Sequence, residues 1–215
     1  MKNQSLSSKM QFYNLAISNS MSSKLLIEPL ALYGYDKKKI LEGQALYKEV
    51  YGLISESKLL RGAQLKATDD LKKLKASVYK QYIIHLKLAR IAFKGDKGLD
   101  VSLLLSGKRE VALSGWLKQA RVFYNHALSQ PETIAALAKY GVNEEKLNHG
   151  KTMLGEVESL SNMQLQAKAN FKEGVYNRNL ALKTLQNWMS EFIAIARIAL
   201  DGSQALEIMG IVVPS

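Results

Sequence analysis

Apolar residues recur every three or four positions along most of the chain, which is the spacing of an amphipathic α-helix. The pattern is clear over about 109–128, where Trp116, Leu117, Ala120 and Phe123 share one helical face. A segment over about 8–19 has the same character and contains the triplet FYN, which recurs at 123–125. With only three prolines to interrupt long helices, the pattern predicts an all-α protein.

Two longer runs also follow helical spacing. Their apolar positions are Leu71, Leu74, Val78, Tyr82, His85 and Ala89 in the first, and Ala181, Leu185, Trp188, Phe192, Ile195 and Ala199 in the second. The stretch Thr68-Asp69-Asp70 has the composition of an N-cap with an acidic first turn, so it predicts a break near 62–68, and near 169–177 in the second run. The alternative is one continuous helix of more than fifty residues, roughly 80 Å long.

The chain also matches itself when it is shifted by 107 positions. Over residues 30–105 the shift gives 15 identities in 76 positions, about three times the number expected by chance. Ala89-Arg90-Ile91-Ala92, for example, aligns with Ala196-Arg197-Ile198-Ala199. The match predicts two tandem repeats, at about 8–105 and about 109–212, in a single all-α domain over 1–215. We expect a helical bundle with approximate two-fold pseudosymmetry.

Most of the recurring residues are of types that begin or end helices. Gly34 and Gly141 suit the left-handed position after a helix, and Asp36 and Asn143 suit the N-cap of the next helix. Arg90 and Arg197 lie five residues before Gly95 and Gly202, where a cation complements the negative helix end. Ser129 and Glu132 predict a capping box around Pro131. The tail IMGIVVPS aligns with the end of repeat one, so it should pack on the bundle or on a partner subunit.

Composition narrows the classes of function. The chain has no cysteine, which excludes disulfides, thiolate metal sites and cysteine nucleophiles. No signal peptide or membrane-spanning run is recognisable, so the expected location is the cytoplasm. The net charge of +11 is uneven, with 18 Lys/Arg against 9 Asp/Glu in residues 1–105 and 12 against 10 in the remainder. The basic half favours an acidic partner without choosing among nucleic acid, acidic protein and anionic membrane.

Lysines fall every seven residues at Lys66, Lys73, Lys80 and Lys87, with Lys72 alongside, and so form one stripe on a helix. Repeat two has Glu173, Leu180, Asn187 and Ala194 at the equivalent positions. Lys37, Lys38 and Lys39 occupy a first helical turn, where the dipole disfavours cations. The ordinary interpretation is a solvated helix face; the functional one is a docking face for an anionic partner.

No motif indicates catalysis. Phosphate-loop, dinucleotide-binding and nucleophile-elbow patterns are absent from the sequence. The histidines are His85, His126 and His149. Glu145 and His149 could share a helical face, and we interpret them as a surface pair. His85 lies in an apolar stripe, which favours a hydrogen-bonded histidine in the core or at an interface. Tyr33, Tyr35, Tyr47 and Tyr51 could line a pocket or an interface, although core packing accounts for them too. We therefore predict no catalytic, cofactor or metal residues.

The segments FYN, LxxYG, WLKQARVFYN and WMSEFIAIARIAL resemble a group of bacterial all-helical proteins without assigned activity. The resemblance implies the fold and no activity, cofactor or partner.

Three hypotheses follow for the function. The first is a non-enzymatic interaction or scaffold protein, with an unknown protein partner or as a homo-oligomer. The second is an anionic-partner binder that uses the lysines, and the third is a small-molecule or enzymatic site between the repeats.

Overall fold

The computed structural model describes residues 5–201 and 203–213, which form eight helices and no strand. The prediction of an all-α protein is confirmed. The helices are α1 Leu6–Ser22, α2 Lys24–Leu32, α3 Lys37–Ala92, α4 Lys97–Ser102, α5 Leu113–Ser129, α6 Pro131–Ala138, α7 Glu144–Ala199 and α8 Ala205–Ile208.

Helices α3 and α7 each run for 56 residues without interruption, so the predicted breaks near 62–68 and 169–177 are wrong. The Thr68 hydroxyl does not cap a new helix; it donates to the Gln64 carbonyl one turn earlier, at 2.8 Å. Asp69 likewise pairs with Lys73 on the next turn, at 2.6 Å. Both interactions are compatible with a helix interior, because they join residues four positions apart.

The chain divides into two compact units, and each long helix contributes to both. The first unit comprises residues up to Gly62 and from Ala169 onward, and the second comprises Ala63–Lys168. Each unit has its own hydrophobic core, built from short helices and one part of each long helix. The prediction of a single domain over 1–215 stays a prediction.

In the first unit, aromatic side chains of α7 meet Tyr35, the buried residue just before α3. The Tyr35 ring stacks on Phe192 with centroids 5.1 Å apart and meets the edge of Trp188 at 5.7 Å. The Trp188 indole also lies directly on Gly43, so closely that a Cβ there would overlap the ring. Glycine therefore allows the ring to rest on the α3 backbone.

The second unit contains a similar contact between α5 and α7. The Tyr124 ring lies on Gly150, where a Cβ would again overlap it. Tyr82 of α3 meets Phe123 with centroids 5.7 Å apart, and all three aromatic side chains are buried. The core thus joins α3, α5 and α7 around the rings.

Most of the predicted N-caps and turn glycines are present. The Asp36 carboxylate accepts from the Lys39 amide at 2.8 Å, and the Asn143 amide oxygen accepts from the Lys146 amide at 3.0 Å, so both N-caps are confirmed. Positive φ angles are found, as expected, at Gly34, Gly141 and Gly95. Gly202 lies outside the described residues.

The predicted capping box at Ser129 is wrong. Ser129 ends α5, and its hydroxyl donates to the His126 carbonyl at 2.9 Å. Gln130 is the N-cap residue of α6 and has an extended backbone. The residue before a proline avoids the helical region, so Pro131 places the start of α6 one residue later than the serine.

The predicted positions of two arginines near the ends of the long helices are confirmed, whereas their effect on the helix dipole stays a prediction. Arg90 and Arg197 lie in the last turns of α3 and α7, and the Arg90 Nε donates to the Leu105 carbonyl at 2.6 Å, beyond its own helix. The C-terminal tail packs on the first unit, where Met209 and Ile211 are buried. The Asn19 side-chain amide secures it by donating to the Ile208 carbonyl at 2.6 Å.

Candidate functional site

The predicted lysine stripe, Lys66, Lys73, Lys80 and Lys87, lies on α3 in the second unit, and we call it the lysine row. All four side chains are exposed, on the helix face opposite the core residues Val78, Tyr82, Leu86 and Ala89. The spacing of about 10.5 Å between successive lysines follows from seven residues at 1.5 Å each. The row therefore presents a straight line of cations to solvent.

The lysine row is largely unpaired. Only Lys73 has a carboxylate partner within the described ranges, and the hydrogen bond from Lys73 to Asp69 raises the pKa of the lysine. Lys72 is exposed beside the row. Three cations of the row thus have no ion-pair partner in the described part of the chain, which is the condition in which lysines bind an external anion.

The second predicted group of lysines lies elsewhere. Lys37, Lys38 and Lys39 form the first turn of α3 in the first unit, so the two groups belong to different units. Lys39 pairs with Glu42 at 3.0 Å, and this contact raises the lysine pKa. The arrangement does not place all eight predicted lysines in one unit.

An apolar surface that the sequence analysis missed lies on α2 in the first unit. Leu26 and Leu30 of this helix are completely buried, whereas Leu25 and Leu32 on the other side are 67% and 84% exposed. Lys24 and Glu28 are also exposed there. We call these four residues the α2 outer face.

The α2 outer face borders an apolar groove of about 530 Å³. The groove is lined by Leu25, Pro29, Ala199, Leu200, Ser203, Gln204, Ala205 and Ile208. Leu25 is thus both an exposed side chain of the α2 outer face and part of the groove. The 107-residue shift could have revealed the surface, since it aligns Leu25 with Glu132 and Leu32 with Lys139.

The predicted tyrosine cluster divides between core and surface. Tyr35 is buried in the first unit, and the Tyr47 and Tyr51 rings stack with centroids 6.2 Å apart. Tyr33 is half exposed at the end of α2. Tyr35 therefore serves the core, as packing predicts, and Tyr51 and Tyr33 lie at the boundary with solvent.

The histidines do not form a metal centre. Glu145 and His149 are both exposed, and residues 5–201 and 203–213 contain no group of three or more His, Asp or Glu side chains placed to hold a metal ion. His85 is only 5% exposed, in the second core, as predicted. Its Nδ1 lies 3.1 Å from the Tyr124 hydroxyl, so these two buried groups satisfy each other.

The environment of His85 disfavours its charged form. Burial lowers the pKa of the imidazole, and the charges of Lys146 and His149 lower it further. Burial also raises the pKa of Tyr124, which keeps its hydroxyl protonated. The pair is therefore a neutral polar contact inside the core.

Comparisons of the chain with protein-family models, curated proteins and solved structures find no match. None of the described helices combines the length and apolar character needed to cross a bilayer.

The lowered pKa of His85 predicts a pH dependence of stability. Between the folded pKa and the unfolded value of about 6.5, the unfolded chain binds more protons, so stability falls as pH decreases below about 6.5. A His85→Gln variant retains a hydrogen-bonding side chain that cannot titrate, so its free energy of unfolding should fall less. Urea denaturation at neutral and mildly acidic pH measures the difference. Equal slopes for His85→Gln and wild type would refute this role.

Proposed function

We propose that the protein is a non-enzymatic helical interaction protein, a cytoplasmic scaffold that associates with a second copy of itself through the α2 outer face. The observation on which the proposal depends is the exposure of Leu25 and Leu32 on one side of α2, together with the apolar groove that Leu25 lines. Single exposed leucines are common on protein surfaces, but leucines that border a concave apolar surface are typical of interaction sites.

The folding of the first unit does not require these leucines. The opposite side of α2 supplies Leu26 and Leu30, both completely buried, to the core. At the aligned positions the chain has Glu132 in α6 and Lys139 directly after it, and both are exposed. A helix in this setting thus tolerates charge where α2 has leucine, so Leu25 and Leu32 are available for association.

A second copy fits the surface because a two-fold interface must be self-complementary. The α2 outer face and its groove provide both the projecting side chains and the concave surface that would receive them. Lys24 and Glu28 add one charge of each sign, so two copies can approach without net like-charge repulsion. Burial of four leucines, two from each copy, would contribute roughly 1.5–3 kcal/mol per side chain before the cost of association.

The proposal also includes an internal duplication of the chain. We infer two tandem repeats with approximate two-fold pseudosymmetry. Matching helix bounds support the duplication: α3 and α7 begin and end 107 residues apart, and α1 and α5 each have 17 residues. A small-molecule or enzymatic site between the repeats stays a prediction.

Self-association can be tested by introducing at Leu25 and Leu32 the charged residue types found at the aligned positions. The double variant Leu25→Glu/Leu32→Lys places the aligned residue types, those of Glu132 and Lys139, on the α2 outer face, so it should keep the fold and weaken association at least about tenfold. Sedimentation velocity over a range of concentrations measures the oligomeric state, and circular dichroism checks the fold. Leu165→Glu is the matched control, because Leu165 is 58% exposed in the second unit. A wild-type monomer at every concentration would contradict the proposal, as would a double variant that associates normally.

The lysine row supports a second candidate function, the binding of an anionic partner. Three of its four cations have no carboxylate partner in the described ranges, and the equivalent positions of α7 include no lysine. A straight row of cations matches the regular charge of a linear polyanion such as nucleic acid. Contacts of this kind depend on charge and spacing rather than on sequence.

Replacement of all four lysines in the row by glutamine should abolish most of this binding. With duplex DNA as the probe, the wild-type affinity should fall steeply with salt, and the variant should lose about 0.9 from the slope for each phosphate contact removed. A control with Lys48, Lys58, Lys172 and Lys183 changed to glutamine removes the same charge from exposed positions of the first unit. If both quadruple variants bind alike, net charge rather than the row is responsible, and the second candidate fails.

A further inference from the structure

A groove of about 510 Å³ lies between α5 and the first part of α7, within the second unit. We call it the α5–α7 groove. Its lining residues are Leu113, Ser114, Leu117, Lys118, Arg121, Val122, Asn125, Glu158, Ser161 and Asn162. It differs from the groove beside the α2 outer face because charged side chains line it as well as amide, hydroxyl and apolar ones.

The polar side chains form two facing rows. On α5, Ser114, Lys118, Arg121 and Asn125 are spaced by four, three and four residues, which places them on one helical face. On α7, Ser161 and Asn162 follow Glu158 by three and four residues, which is about one helical turn. Arg121 donates to the Glu158 carboxylate, so the guanidinium bridges the helices and is held in the groove.

Several hydrogen-bonding groups of the groove have no partner in the protein. Within the part of the chain that the structure describes, the side chains of Lys118, Asn125, Ser161 and Asn162 make no hydrogen bond, and Arg121 uses only one terminal nitrogen. Two cations face one carboxylate, so the groove has a net charge of about +1. Its free groups can therefore receive an anion that also has hydroxyl or carbonyl groups.

The residues of the groove can be compared with those at the aligned positions of repeat one. Arg121 aligns with Met10 at the 111-residue shift of the FYN triplets, and Ser161 aligns with Ile54 at the 107-residue shift. Met10 is buried in the first core, and Ile54 packs against it. Lys118 aligns with Ser7 and Glu158 with Tyr51. At two positions of the groove, Arg121 and Ser161, the aligned residues of repeat one are therefore apolar side chains that pack in or against the core.

We propose that the α5–α7 groove binds a small organic anion, one that presents a phosphate or carboxylate group to Lys118 and Arg121 and polar substituents to Asn125 and Asn162. Leu113, Leu117 and Val122 provide the apolar surface for its carbon skeleton. A volume near 500 Å³ lies within the range of small-molecule sites. The site is independent of the α2 outer face and of the lysine row.

The test uses orthophosphate, glycerol 3-phosphate and citrate as separate probes of the full-length protein. Nuclear magnetic resonance titration should shift the side-chain amide signals of Asn125 and Asn162 for at least one probe, and the comparison separates phosphate from carboxylate recognition. Lys118→Ser removes a cation, and Ser161→Ile places in the groove the larger apolar side chain found at the aligned position, Ile54. Each variant should weaken binding at least about tenfold.

A variant with all four lysines of the row changed to glutamine is the matched control and should bind the probe as wild type does. Failure of the groove and failure of the lysine row are thereby distinguishable. The proposal is overturned if no probe shifts the two amide signals, or if Lys118→Ser and Ser161→Ile bind with wild-type affinity. Unfolding curves confirm that both variants are folded.

Discussion

An aromatic ring lying on a helical glycine is the contact from which each hydrophobic core is built. Trp188 rests on Gly43 in the first unit, and Tyr124 rests on Gly150 in the second. Since glycine has no Cβ, the ring approaches the helix backbone more closely than any other residue would permit. Further rings surround the contact: Tyr35 and Phe192 adjoin Trp188, whereas Phe123, Tyr82 and His85 adjoin Tyr124. The two cores therefore share a packing device but differ in chemistry, because only the second includes a hydrogen-bonded histidine.

Because the cores occupy one face of each helix, the opposite faces are free to vary. α2 presents leucines where α6 has charged residues, and α3 presents lysines where α7 has other residues. The α5–α7 groove shows the same variation at two positions, since Arg121 aligns with Met10 and Ser161 with Ile54. Under the proposed duplication, functional specialisation is accordingly expected at aligned positions that differ, while shared positions maintain the helices and their turns.

The sequence predicted features that depend on local chemistry. Asp36 and Asn143 cap their helices because an N-cap requires only a short polar side chain and an amide three residues later. The exposure of the lysine row followed from helical periodicity. The predicted helix start at Thr68 is wrong because a threonine hydroxyl can either cap a helix or donate to the preceding turn. Which of the two occurs depends on whether Gln64 is already helical. The α2 outer face and the α5–α7 groove depend on how separate segments pack, which no single periodic pattern encodes.

Measurement of the unfolding free energy of paired glycine-to-alanine variants tests the role of the ring contacts most directly. In an exposed helix interior, alanine stabilises by about 1 kcal/mol relative to glycine. We expect that gain for Gly52→Ala and Gly155→Ala, where nothing lies within 4 Å of the added Cβ. Gly43→Ala and Gly150→Ala should instead lose about 1–3 kcal/mol, because the methyl group displaces Trp188 or Tyr124. Stabilisation of all four variants by a similar amount would contradict the account.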